Sequence, residues 1–116
     1  PDADPGAVAA ARFAADLEEL ASLARSFTKA RRDRDLDGAE AVDAAFHHRV
    51  VELAGNPWLQ KIMDNFDIVR QVFRSTSPPR TAIARRPSPY SHQKMVQALT
   101  RGDPDECDTI FRRHIQ

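Results

Sequence analysis

Four side chains in this 116-residue chain have the chemistry of metal ligands, and their spacing allows them to meet. Asp43 and His47 stand four residues apart, so on a helix they share one face, one turn from each other. Beside them runs an apolar stripe of Val42, Phe46, Val50 and Leu53, which turns that face toward the interior or its edge. His92 lies ten residues before Gly102, and His114 lies twelve after it. If the chain folds back at Gly102-Asp103, an antiparallel helical hairpin carries both imidazoles to the same level. One carboxylate and three imidazoles suit a divalent transition metal such as Zn, Ni, Co, Mn or Fe, with positions left for water or a carboxylate. The same spacing equally serves four helix residues with ordinary hydrogen bonds, and residue types alone leave both open.

The elements that would hold these residues are all helical. Pro1 to Gly6 reads as a frayed start. Ala7 to Ala15 favours helix by its alanines. Leu17, Leu20, Ala21, Ala24 and Phe27 then recur at helical spacing, giving one long helix or two with a break near Asp16. Arg31 to Gly38, mixed in charge and ending in glycine, reads as a solvated loop. A second helix is expected from about Ala39 to Ala54. Gly55-Asn56-Pro57 then supplies a left-handed cap, a new N-cap and a first-turn proline. A long helix follows to about Arg74, marked by Trp58, Leu59, Ile62, Met63, Phe66, Val69, Val72 and Phe73. Ser75 to Pro89 holds four prolines and reads as a loop or a broken helix start. Helices from about Pro89 to Arg101, with Met95, Val96 and Leu99 inward, and from Asp103-Pro104 onward, with Cys107, Ile110, Phe111 and Ile115 inward, complete the chain. No segment alternates as a strand would, so the expected class is all-α, an antiparallel helical bundle.

Composition bounds the rest. The length suits one domain with a modest core. A formal net charge of zero gives no global field for nucleic acid. The charge is nonetheless uneven: between Phe66 and Gly102, Asp67 is the one acid against Arg70, Arg74, Arg80, Arg85, Arg86, Lys94 and Arg101. A single cysteine, Cys107, excludes an intrachain disulfide and fits a reducing, cytoplasmic setting. No apolar run has the length of a membrane span. The start at Pro1 and the end within a helical pattern read as a fragment of something longer, with residues 1–116 forming a single domain.

Other residues invite two readings each. Arg70 and Arg74, one turn apart, can clamp a carboxylate with their guanidinium forks, or can line a solvated face. Arg80, Arg85 and Arg86 suit a solvated loop. His48 sits about 100° around the helix from His47 and so faces solvent or a neighbouring helix. Trp58 is expected to pack or anchor an interface, Asn56 to cap, and Cys107 to fill the core.

The same residues carry a family resemblance. Asp43-Ala-Ala-Phe46-His47, followed by Ala54-Gly55-Asn56-Pro57-Trp58-Leu59, resembles a D-x-x-F-H…A-G-N-P-x-L signature. His92-Gln93-Lys94-Met95-Val96-Gln97-Ala98-Leu99 with Arg101-Gly102-Asp103 resembles H-x-x-I-x-x-A-I-x-x-G-D. Phe111-Arg112-Arg113-His114-Ile115 resembles a closing M-x-x-H-I/L. In this order and register, from about Leu17 to the end, they are similar to the FCD domain of GntR-family transcription regulators. Two positions depart from the pattern: Ser91 stands where a Glu is usual, and Ala45 where a charged residue is common.

The resemblance implies a helical bundle that holds a divalent metal (Zn, Ni or similar) through Asp43, His47, His92 and His114. It implies a small organic acid as effector, with Arg70 and Arg74 as ligand-binding candidates. It also implies a homodimer that reaches operator DNA only through an N-terminal winged helix-turn-helix outside this sequence. The expected function is sensing by population shift: effector carboxylate replaces water on the metal, helices rearrange, and the DNA-binding domains change spacing. The alternative is a metal-dependent enzyme acting on a small carboxylate. No general base stands beside the four ligands in sequence, since Glu52 lies more than a turn beyond His47, so no catalytic residue is assigned.

Overall fold

The computed structural model describes residues 4–62 and 90–115, with side chains over 4–61 and 90–113. Every regular element among them is a helix: α1 (Pro5–Arg32), α2 (Leu36–Ala54), α3 (Pro57–Ile62), α4 (Ser91–Arg101) and α5 (Pro104–Ile115). The expected all-α bundle is thus the observed class. The continuation of α3 toward Arg74, the proline-rich stretch 75–89, and Arg70, Arg74, Arg80, Arg85 and Arg86 lie outside the described residues.

The longest element, α1, has 28 residues and is about 42 Å long. It runs through Asp16 without a break, because its alanines and its buried Phe13, Leu20, Ala24 and Phe27 keep one helical period throughout. From Asp4 on its start is capped rather than frayed, and residues 1–3 of the expected frayed start lie outside the described residues. Asp4 accepts a hydrogen bond from the Gly6 amide at 3.3 Å, and Pro5 occupies the first turn, where it costs no hydrogen bond.

The stretch 31–38, expected as a loop, contributes mostly to helices. Only Asp33, Arg34 and Asp35 link α1 to α2. The link is tight because the amides of Arg34 and Asp35 return to the carbonyls of Arg31 and Ala30, at 3.2 and 2.8 Å. That is the Schellman arrangement, and its left-handed residue is Arg34, at φ 56°, rather than a glycine. Asp35 then caps α2, accepting from the Gly38 amide at 2.9 Å, which puts Gly38 inside the first turn.

A second correction falls at Gly55. Its φ of −80° is right-handed, so it ends α2 without the left-handed cap expected there. Asn56 does cap α3: its Oδ1 accepts from the amides of Trp58 and Leu59 at 2.7 and 3.3 Å. Its Nδ2 also donates to the Ala9 carbonyl at 3.0 Å, tying α3 to the start of α1. At the other hairpin Gly102 is left-handed, at φ 69°, and Asp103 Oδ1 accepts from the amides of Asp105 and Glu106.

The packing centres on α1, which touches α2, α3 and α4, while α5 folds back on α4. The main core joins Phe13, Leu20, Ala24, Phe46, Val50, Leu53, Leu59, Met95, Leu99, Cys107 and Phe111. Trp58 and Ile110 pack against its edge. A smaller cluster of Phe27, Ala30 and Ala39, with Val42 beside it, closes the end where α1 turns into α2. No described helix is long and apolar enough to cross a membrane.

Candidate functional site

Between those two apolar clusters sits a polar contact. His92, the second residue of α4, is fully buried, and Asp43 of α2 is 5% exposed. His92 Nε2 lies 2.8 Å from Asp43 Oδ1. The imidazole is held by rings on both sides of the seam. Phe27, from the smaller cluster, tilts over it with centroids 3.9 Å apart, and Phe46, from the main core, meets it edge-on at 4.6 Å. Three helices therefore fix one imidazole: α1 through Phe27, α2 through Asp43 and Phe46, and α4 through its own backbone.

A carboxylate and an imidazole are removed from water only with a partner, because an unpaired polar group in the core costs several times what a paired one returns. With Asp43 ionised, Nε2–H donates to Oδ1, and this pair gives each group one partner across the seam. It also has the chemistry of two metal ligands. Nitrogen and oxygen donors held about 2.0–2.2 Å from one tetrahedral metal stand about 3.3–3.6 Å from each other. The observed 2.8 Å is a hydrogen-bond distance, so the two groups would have to part by about half an ångström or more to hold an ion between them.

The other expected ligands stand differently. His47 is half-buried, on the face of α2 that carries Asp43, one turn on. Among the described side chains no three His, Cys, Asp or Glu converge, so His47 does not join the Asp43–His92 pair as a third donor. His114 lies in the last turn of α5, across the Gly102 hairpin from His92, and its side chain falls outside those described. The ligand candidates Arg70 and Arg74 are outside the described residues altogether. His48 faces solvent and pairs with Glu52 at 3.2 Å, which leaves Glu52 on the outer surface, away from the buried pair.

Two further polar groupings are structural. Arg49 reaches from α2 to Asp16 and Glu19 of α1, at 2.9 and 2.5 Å, and to Glu52 at 3.3 Å. Desolvation works against its charge, but the carboxylates of Glu19, Glu52 and Asp16 outweigh it and hold its pKa above the usual value. Cys107 is 1% exposed, and burial pushes its thiol up to about 12. It is a core filler.

Sequence reasoning placed Phe27 on the apolar face of α1 but gave no sign that its ring would lie on His92. The two are far apart in the chain, and no local periodicity encodes such a contact. The D-x-x-F spacing of Asp43 and Phe46, by contrast, does put a carboxylate and a ring on adjoining positions of one helix.

An all-helical bundle with one carboxylate–imidazole pair sealed at a seam of its core defines the class. The chain belongs to the FCD domain family, which it matches over residues 5–116. FCD domains are the regulatory domains of GntR-family transcription factors, where they bind small-molecule effectors. No curated protein and no solved structure matches the chain.

Proposed function

We propose that this chain is the effector-binding and dimerisation domain of a GntR-type transcription regulator, and that it senses a small organic acid through a divalent transition metal. Residues 1–116 form one such domain, and contact with operator DNA belongs to a winged helix-turn-helix outside them. The observation that carries this reading is the buried Asp43–His92 contact at 2.8 Å, between two of the residues that the family resemblance assigns to the metal. Asp43, His47, His92 and His114 would hold the metal. When bound, it would supply a Lewis-acidic centre with positions open to a carboxylate.

The chain's own residues do the remaining work. Phe27 and Phe46 fix the His92 ring and keep water from it. Asp43 and His47 share a face of α2, so a rotamer change brings the second imidazole toward the first carboxylate. Because Asp43, His92 and Phe27 belong to three different helices, whatever binds at their junction biases how those helices pack.

The test is thermal unfolding of the domain, Zn-loaded or stripped with EDTA, against a panel of small carboxylates such as citrate, malate and gluconate. A true effector at about 100 times its Kd adds about 2.7 kcal/mol of stability. The expected result is a rise of that size in the Zn-loaded domain, larger than any rise in the stripped one. Equal stabilisation of both forms would overturn the metal-assisted reading.

A further inference from the structure

A separate cleft opens where the C-terminal half of α1 meets the start of α4. It has a volume of about 480 Å³ and is lined by Arg25, Thr28, Lys29, Arg32, Asp33, Tyr90 and Gln93. That volume is in the range of small-molecule sites. Three of its lining residues are cations and one is an acid. We propose that this cleft binds a small multivalent oxyanion, a metabolite carrying two or more carboxylate or phosphate charges.

The arrangement of charge supports this. Arg25, Lys29 and Arg32 recur at four and then three residues, so they share one face of α1. Like charges at that spacing repel, and the helix pays for the repulsion unless something of opposite sign lies among them. Lys29 has such a partner in Asp33, at 2.5 Å. Neither Arg25 nor Arg32 makes an ion pair among the described residues. The carbonyls at the end of α1 account for cations in the last turn, but that influence fades beyond it, and Arg25 stands two turns back.

The opposite wall adds positive potential. Among the described residues no side-chain cap closes the N-terminus of α4: Tyr90 at the cap position makes no such bond. The first amides of an 11-residue helix therefore favour negative charge on that side. Tyr90 and Gln93 bring a phenol and an amide suited to the hydroxyl or carbonyl groups of such a ligand. Occupation of the cleft would clamp α1 to α4 on either side of His92, because Thr28 follows Phe27 and Gln93 follows His92.

The experiment uses the whole 116-residue chain, stripped of metal with EDTA and then dialysed free of the chelator, at constant ionic strength, so its outcome does not depend on the metal. Citrate and inorganic phosphate are titrated separately, and backbone amide shifts of Thr28 and Gln93 are followed by NMR. The expected result is saturable binding of at least one probe, weakened about tenfold or more by Arg25→Gln/Arg32→Gln, which removes two charge-assisted contacts. Asp33→Asn should tighten binding, since it removes the one acid of the cleft and releases Lys29. Preference for citrate or for phosphate assigns the carboxylate or phosphate class. A non-saturating response in the wild type, or one unchanged in the double variant, would overturn the proposal. Both arginines are exposed, so the double variant is expected to fold, and its amide spectrum without ligand checks that directly.

Discussion

Asp43, Phe27 and Phe46 each touch the His92 imidazole, and each makes a different demand on it. The carboxylate fixes the direction of Nε2, and the two rings fix its plane. Truncating the carboxylate would leave that nitrogen facing apolar surface. Asp43→Ala is therefore expected to cost about 2–3 kcal/mol in metal-free protein. Asp43→Asn, which keeps an acceptor, should cost less than half of that. Urea unfolding in EDTA distinguishes them, and equal costs would mean that the contact contributes little. A second residue-scale prediction concerns Cys107. Its thiol is pushed from an ordinary value near 9.0 up to about 12, by burial first and then by the carboxylates of Glu106 and Asp103. The folded state thus favours the neutral thiol. The contribution is full below pH 9 and is lost as the pH rises toward 12. At pH 8 iodoacetamide should label Cys107 only after denaturation, and rapid native-state labelling would contradict its burial. The types and spacing of Asp43 and His92 were legible in the sequence. The aromatic clamp was not, because Phe27 meets His92 only through the tertiary packing of α1 on α4.

Helix periods could be read directly from the chain, and so could the restarts at Asn56-Pro57 and Asp103-Pro104, whose capping chemistry is local. What misled was the assumption that glycine marks the left-handed positions. It does so at Gly102, whereas Gly55 is right-handed and the turn between α1 and α2 is made by Arg34 at φ 56°. Tertiary contact explains the exception. The linker must be short for α2 to lie along α1, and Arg49 holds the pair together through Asp16 and Glu19. A β-carbon in the left-handed region costs roughly 1 kcal/mol. Arg34→Gly should therefore stabilise the domain by about 0.5–1 kcal/mol, since Arg34 is exposed and the turn's hydrogen bonds from the Arg34 and Asp35 amides would remain. A rise of a few degrees in Tm is the expected reading. Unchanged or lower stability would mean that the entropy glycine adds to the unfolded chain offsets the relief.

At the scale of the whole molecule, the described residues pack into two apolar clusters, and His92 touches a ring from each. The proposed sensing would act at that seam, where α1, α2 and α4 meet at one imidazole. The sequence conveyed the bundle, the hairpin and the family signature because these rest on period, turn chemistry and register. Whether four ligands converge was beyond it, since convergence depends on side-chain rotamers and on how α2 and α5 face each other. The most direct test is elemental analysis of the purified domain beside His92→Ala/His114→Ala. The account predicts about one equivalent of a transition metal in the wild type and none in the variant. A wild type that stays metal-free after exposure to Zn and Ni, or a variant that retains the full equivalent, would contradict it.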